Sequence, residues 1–183
     1  MGQPSTLPTI ERIVNAAVYG LNNRIIAGGN AIRYKTSGNT TVYNDAYYND
    51  MKAAYRPSRS FEQMDRYPCC NVVDDEEFCE TSSNIQLDQN QALLHNEFRL
   101  NITCFLKDTN NQGLAQNKIL SDIQTYFGIN YHIPDADGSK TCFNCYYQSC
   151  TKFGIESNID SCGIEIVYIV WYRQQLTNPR ISG

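Results

Sequence analysis

Apolar positions recur at helical spacing at the start of the chain. Ile10, Ile13, Val14, Ala17, Val18 and Leu21 fall on one stripe, which predicts an amphipathic helix over 8–22. Thr6 or Thr9 can cap its start, Pro8 fits its first turn, and "NN" followed by "AGG" ends it. Much later the period changes to two. In "HNEFRLNITCFLKD", Phe98, Leu100, Ile102, Cys104 and Leu106 share one face, while Glu97, Arg99, Asn101, Thr103 and Lys107 share the other. That alternation predicts a half-buried strand. A second helix is expected over 114–127, with Ile119, Ile123, Tyr126 and Phe127 on its stripe and Gly128 as its stop. Near the C-terminal end, Ile164 to Trp171 is apolar on both faces, as in a central or doubly covered strand.

Between these elements the signal weakens. From 28 to 67 the chain is poor in aliphatics and rich in Tyr, Asn, Gly and Arg. Ala31–Lys35 and Thr40–Tyr43, joined by "TSGN", have the look of a hairpin, and the rest reads as a long loop or arm. "YPCCNVV" predicts a short strand. The acid-rich "DDEEFCETSSNIQLDQN" after it reads as a loop, "YHIPDADGSK" as turns, and "TCFNCYYQSCTKFGIES" as one strand or two. The order is helix, arm, strand, strand, helix, strand, strand. It predicts a single α+β domain over 1–183, a mostly antiparallel sheet with two helices packed against it and a long inserted arm at 28–67.

Composition narrows the function classes. At 183 residues and 42% hydrophobic the chain can bury one sizeable core, and a formal charge of −4 gives no general reason to expect a nucleic-acid partner. No apolar run reaches the roughly 18 residues of a membrane span, and the start lacks a signal peptide's regions, so a cytosolic origin and no membrane partner are expected. "MGQPST" matches a myristoylation pattern without a second anchoring signal. Nucleophile elbow, phosphate loop and H-E-x-x-H are all missing, so neither catalysis nor a cofactor is expected. His95 and His132 read as structural, and "DADG" at 135–138 reads as a turn rather than a cation loop.

Thirteen tyrosines are many for this length, and six of them, Tyr34, Tyr43, Tyr47, Tyr48, Tyr55 and Tyr67, lie in the arm among a basic excess. Tyr and Arg together favour protein interfaces, since both bury area while keeping a polar end. Tyr43, Tyr47, Tyr48, Tyr55, Arg56 and Arg59 are therefore candidate interface residues. Asp74, Asp75, Glu76 and Glu77 are candidates on the complementary side, in a run with no internal compensation. The alternatives are a solvated loop whose tyrosines pack on their own domain, and single-stranded nucleic acid as the partner of a Tyr/Arg arm.

Eight cysteines complete the candidate chemistry. Cys142 and Cys145 form a C-x-x-C, but no second C-x-x-C supplies the other half of a zinc site, and the motif lies in strand-like sequence rather than at a helix start. "CC" at 69–70 points its thiols to opposite faces of a strand. Cys104 has core parity. At least one disulfide is expected among Cys69, Cys70, Cys79, Cys142, Cys145, Cys150 and Cys162, with buried free thiols and zinc as the alternatives.

The pieces "IERIVNAAVYGL", "YPCCNVV", "EFRLNITCFLKD", "KILSDIQTYFG" and "IEIVYIVWYRQQLTNP", in that order, resemble the tail terminator, or neck and tail-completion, proteins of tailed bacteriophages. The resemblance covers well under half of the chain and rests on arrangement, not on a signature motif. It implies a virion protein, assembled in the host cytoplasm as a cyclic homo-oligomer, usually a hexamer. Such a ring caps the tail tube, contacts the adjacent connector and tail-tube proteins, and lets DNA pass through its lumen. The arm and the cysteine load depart from the compact pattern of that family. The alternative is a zinc-binding or nucleic-acid-binding accessory protein.

Overall fold

In the computed structural model, the described residues are 7–25, 32–36, 39–43, 51–56, 63–64, 66–79, 86–88, 91–107, 111–154 and 161–175. They form α1 (Thr9–Gly20), a π-helical turn (Leu21–Ile25), β1 (Ile32–Thr36), β2 (Asn39–Tyr43), β3 (Ala53–Tyr55), β4 (Cys69–Cys79), β5 (Gln86–Asp88), β6 (Gln91–Lys107), α2 (Gln112–Ile129), β7 (Asn144–Phe153) and β8 (Ser161–Gln175). The fold is α+β. The main sheet runs β3-β4-β6-β8-β7, with β5 pairing on β6. Only β3 and β4 are parallel. β8 lies between β6 and β7, so the β6–α2–β7 crossover leaves a slot that the last strand fills.

Period-two alternation in β6 sorts the two faces. Phe98, Leu100, Ile102, Cys104 and Leu106 are buried together with Ile164, Ile166, Tyr168, Val170 and Tyr172 of β8. The helices supply the facing layer through Ile13, Val14, Ala17, Ile119, Ile123, Tyr126 and Phe127. At about 1.5–3 kcal/mol for each fully buried large apolar side chain, this layer is the main source of stability. On the far side of the sheet a small cluster of Ala53, Met64 and Cys69, flanked by Tyr55, Tyr67 and Phe105, covers one corner.

Several boundaries differ from the sequence reading. The acidic run is not a loop: β4 continues through Asp74–Glu77 to Cys79, with a bulge between Asp75 and Glu77, because the 17-residue β6 supplies pairing partners along its length. The arm is not all loop either. Its hairpin forms, as β1 and β2, but Ala53–Tyr55 joins the main sheet, with Met51, Ala53 and Ala54 buried. α2 begins earlier, capped by the Asn111 side chain accepting from the Leu114 amide at 3.3 Å.

One glycine is sterically required. A Cβ on Gly163 would lie 2.1 Å from the Cys104 carbonyl oxygen and 2.3 Å from the Phe153 ring. Its strand partners Phe105 and Phe153 meet edge-on at 6.1 Å. From the helix layer, Gln116 Nε2 donates to the Phe153 and Gly163 carbonyls at 3.1 and 2.9 Å.

Candidate interaction surface

The two ends of the sheet are finished differently. At one end, the Asn22 side chain occupies the outer side of β3. Its Nδ2 donates to the Ala54 carbonyl at 2.9 Å, and its Oδ1 accepts from the Ala54 amide at 3.0 Å. One primary amide thereby satisfies both outward backbone groups, as a further strand would. Nearby, Arg56 donates to Glu11 on α1 and to Asp74 on β4, the latter at 2.8 Å. The hydrogen bond from Arg56 lowers the Glu11 carboxyl below its ordinary value.

At the other end, β7 is the last strand of the sheet. Exposed aromatics wrap around it. Tyr131, Phe143, Tyr146, Tyr147 and Trp171 are each between 39% and 47% exposed. Register explains how the group spans both faces. Tyr146 pairs with Ile169 on the face away from the helices, and Tyr147 pairs with Tyr168 on the helix face, just before a bulge at Gln148.

The uncovered face holds its aromatics in fixed orientations. Trp171 and Tyr146 meet edge-on at 5.7 Å, and the Trp171 indole donates to Glu97 Oε2 at 2.8 Å. The Phe143 amide donates to the Trp171 carbonyl at 2.8 Å, and the Arg173 guanidinium lies 4.1 Å from the Phe143 ring centroid. The His95 ring lies 6.4 Å from that of Phe143 and nearly parallel to it. His95, Asn96, Glu97, Phe143, Trp171, Tyr172 and Arg173 line a cavity of about 230 Å³. Partial burial, reinforced by Glu97, raises the Tyr146 hydroxyl above its ordinary pKa, so it stays neutral.

Around the edge, a second hollow of about 390 Å³ lies between the end of α2 and β7. Its walls include Phe127, Tyr131, Cys145, Tyr146, Tyr147 and Tyr168. The buried Tyr168 hydroxyl has no hydrogen-bond partner among the described residues, and desolvation raises its pKa. Rings with polar ends, around an open strand edge, are the composition that protein partners bury.

Few of the residues singled out from sequence belong to this surface. Tyr47, Tyr48 and Arg59 lie outside the described residues, and Tyr43, Glu76 and Glu77 are described by backbone alone. Tyr55 is half-buried against the Met64–Cys69 cluster of its own domain. Arg56 and Asp74, expected on opposite sides of a subunit contact, meet inside one chain. The acidic run is therefore compensated internally at Asp74, and Asp75 accepts from Asn101 Nδ2 at 3.2 Å.

The cysteines are likewise distributed by strand parity. Cys69 faces Met64 on one side of β4, and Cys70 faces Met51 on the other. Cys70 and Cys104 are direct cross-strand partners. Burial, then Cys70, pushes the Cys104 thiol well up. Burial pushes Cys142 up to about 12 and Cys145 well above its ordinary value. Within the chain no bridge joins Cys69, Cys70, Cys104, Cys142, Cys145, Cys150 and Cys162 to one another; the side chain of Cys79 lies outside the described residues, and the expected bridge, within or between subunits, is not tested by a single chain. No group of three or more His, Cys, Asp or Glu residues is arranged to hold a metal ion among the described residues. There too, no helix is long and apolar enough to cross a membrane.

Comparison with known proteins adds no relative: no family model matches the chain, and a search of curated proteins finds no match.

Proposed function

We propose that this chain is a structural subunit that assembles with copies of itself into a closed ring in the neck of a tailed bacteriophage. There it would terminate the tail tube and join it to the head connector, with DNA passing through the lumen. The observation that carries the reading is the asymmetry of the sheet. At one edge Asn22 covers the short β3, which pairs with Cys69–Asn71 of β4, while at the other β7 ends the strand order among the described residues and is ringed by Tyr131, Phe143, Tyr146, Tyr147 and Trp171. A patch of that kind is more than scattered surface apolarity and marks a place where another protein sits. When two unlike ends of a subunit meet, the contact is heterologous, and a heterologous contact whose rotation closes makes a ring.

The neck position is supported by the resemblance in element order: an amphipathic first helix, a strand after Tyr-Pro, an alternating strand, a crossover helix and a closing strand with Tyr172-Arg173 near its end. Two measurements test it. Native mass spectrometry and electron microscopy of the purified protein should show a closed ring, and a monomer at every concentration would overturn assembly. Immunogold labelling of the parent virion should mark the head–tail junction; label confined to any other site would overturn the neck position.

A further inference from the structure

Cys70 and Cys104 sit side by side in the middle of the main sheet. The register across four strands reads Ala54, Cys70, Cys104, Ile164. Each of the two cysteines therefore has an apolar neighbour on its outer side and the other cysteine on its inner side. Both belong to the helix-facing core, and both are 0% exposed. In the strand registers every other cysteine is opposite a residue of another kind. Strand pairing thus brings one pair of thiols together.

The backbone geometry suits a bridge. Directly opposed residues of antiparallel strands have Cα atoms about 4.5 or 5.5 Å apart, according to whether the pair is hydrogen-bonded. Disulfides span Cα separations of about 4.4–6.8 Å, so either kind of pair is within reach. The side chains agree. After burial, Cys70 is the next cause of the raised Cys104 pKa, so the two thiols face each other. Both are thiols in this structure, and Cys70 donates to the Met51 sulfur at 3.6 Å.

Two chemistries suit a thiol pair beside a thioether. A soft monovalent metal would take both cysteines as thiolates, leaving a net negative charge among Ala54, Val72, Ile102 and Ile164. An uncompensated charge is strongly disfavoured in such a core. A disulfide is neutral. The burial that opposes the metal therefore favours the bridge.

We propose that Cys70 and Cys104 are an oxidation site, closing to a cross-strand disulfide that ties β4 to β6 in an oxidising environment. The oxidant is a low-molecular-weight disulfide. One cysteine thiolate attacks it, expels one small thiol and forms a mixed disulfide; the second cysteine attacks the protein sulfur and expels the other. Two protein S–H bonds are lost and one Sγ–Sγ bond forms, with the two electrons and two protons ending on the two small thiols. Because both cysteines are buried, the exchange waits for local opening. The place to open is β3, a strand of three residues, whose entry sets Met51 against Cys70. The bridge closes the chain from 70 to 104, which holds the rest of β4, all of β5 and most of β6. This inference does not depend on the ring reading.

The test holds the full-length chain in mixtures of reduced and oxidised glutathione, with and without urea, followed by non-reducing peptide mapping. Equilibrium is approached both from the folded dithiol and by refolding, so that burial slows the exchange without deciding it. The folded wild type should link the peptides that carry 70 and 104, with loss of two hydrogens. The effective concentration of the pair should be at least about a hundredfold higher folded than in urea, in line with the stabilisation typical of a native bridge. Cys69→Ala should keep the link, since Cys69 faces the other side of the sheet. Cys70→Ala, which leaves Cys69 in the same peptide, should abolish it. The oxidised wild type should also unfold at higher urea than the reduced form, and Cys104→Ala should remove that shift. A link that forms no better folded than in urea, or that survives Cys70→Ala, would overturn the inference. So would recovery of 70 and 104 as free thiols after refolding in oxidised glutathione, a result that needs no variant.

Discussion

Asn22 does the work of a strand with a single side chain, and removing it should show how much that work contributes. Its amide bonds the Ala54 carbonyl at 2.9 Å, the Ala54 amide at 3.0 Å and the Val18 carbonyl at 3.0 Å. Ala54 is buried, so water cannot readily replace the two lost partners. A satisfied hydrogen bond contributes about 1 kcal/mol, whereas a buried backbone group left unpaired costs about 1–3 kcal/mol. Asn22→Ala should therefore destabilise the fold by about 2–4 kcal/mol, measured by urea unfolding at fixed protein concentration because association shifts apparent stability. Asn22→Asp separates the two bonds. It keeps an acceptor for the Ala54 amide but sets a carboxylate against the Ala54 and Val18 carbonyls. That repulsion raises the introduced acid's folded pKa, so this variant should gain stability as pH falls through the raised value, when its proton restores a donor. Opening the β3 edge should also yield ragged higher-order species on size exclusion. A loss under about 0.5 kcal/mol for Asn22→Ala, with unchanged elution, would refute the account of edge protection.

Gly163→Ala forces a methyl group onto the Cys104 carbonyl and the Phe153 ring, and the backbone contact cannot yield; a loss of at least about 2 kcal/mol is expected in the same unfolding assay. The Glu11–Arg56 pair should make stability fall with acid: because Arg56 depresses the folded pKa of Glu11, its contribution is complete above the ordinary 4.5 and is lost as pH drops through the lower folded value. The pair is partly exposed, so its size is under about 1 kcal/mol, and Arg56→Gln should flatten the pH dependence of unfolding below pH 5. Thiol labelling at pH 8 should leave Cys70, Cys104 and Cys145 unmodified until denaturant is added, since all three are buried and burial holds the thiols of Cys104 and Cys145 in their protonated form. Prompt alkylation of any of them in the native state would contradict the packing described.

Where a single physical signal dominated, the sequence was readable. β6 declared itself because its alternate residues face a helix layer and an uncovered face, and α1 because Ile13, Val14, Ala17 and Leu21 share one stripe. β3 was hidden, since three residues of Ala-Ala-Tyr have no period to detect, and the second half of β4 was hidden because Asp74 and Asp75 are exposed and carry no hydrophobic alternation. The exposed aromatic group at the β7 end was overlooked for a related reason. Tyrosines were weighed by local composition, which favoured the arm, whereas Tyr146, Tyr147 and Trp171 sit in segments that read as ordinary strand. What distinguishes them is that β7 ends the sheet, and that follows from β8 entering the slot between β6 and β7. The run from Ile164 to Trp171 contained a clue: apart from Glu165 its odd positions, Val167, Ile169 and Trp171, are apolar on the face away from the helix layer, where Ile169 is buried and Trp171 remains half exposed. Beside that stretch β7 ends the strand order of the main sheet, so pattern and topology meet at the same end of the molecule.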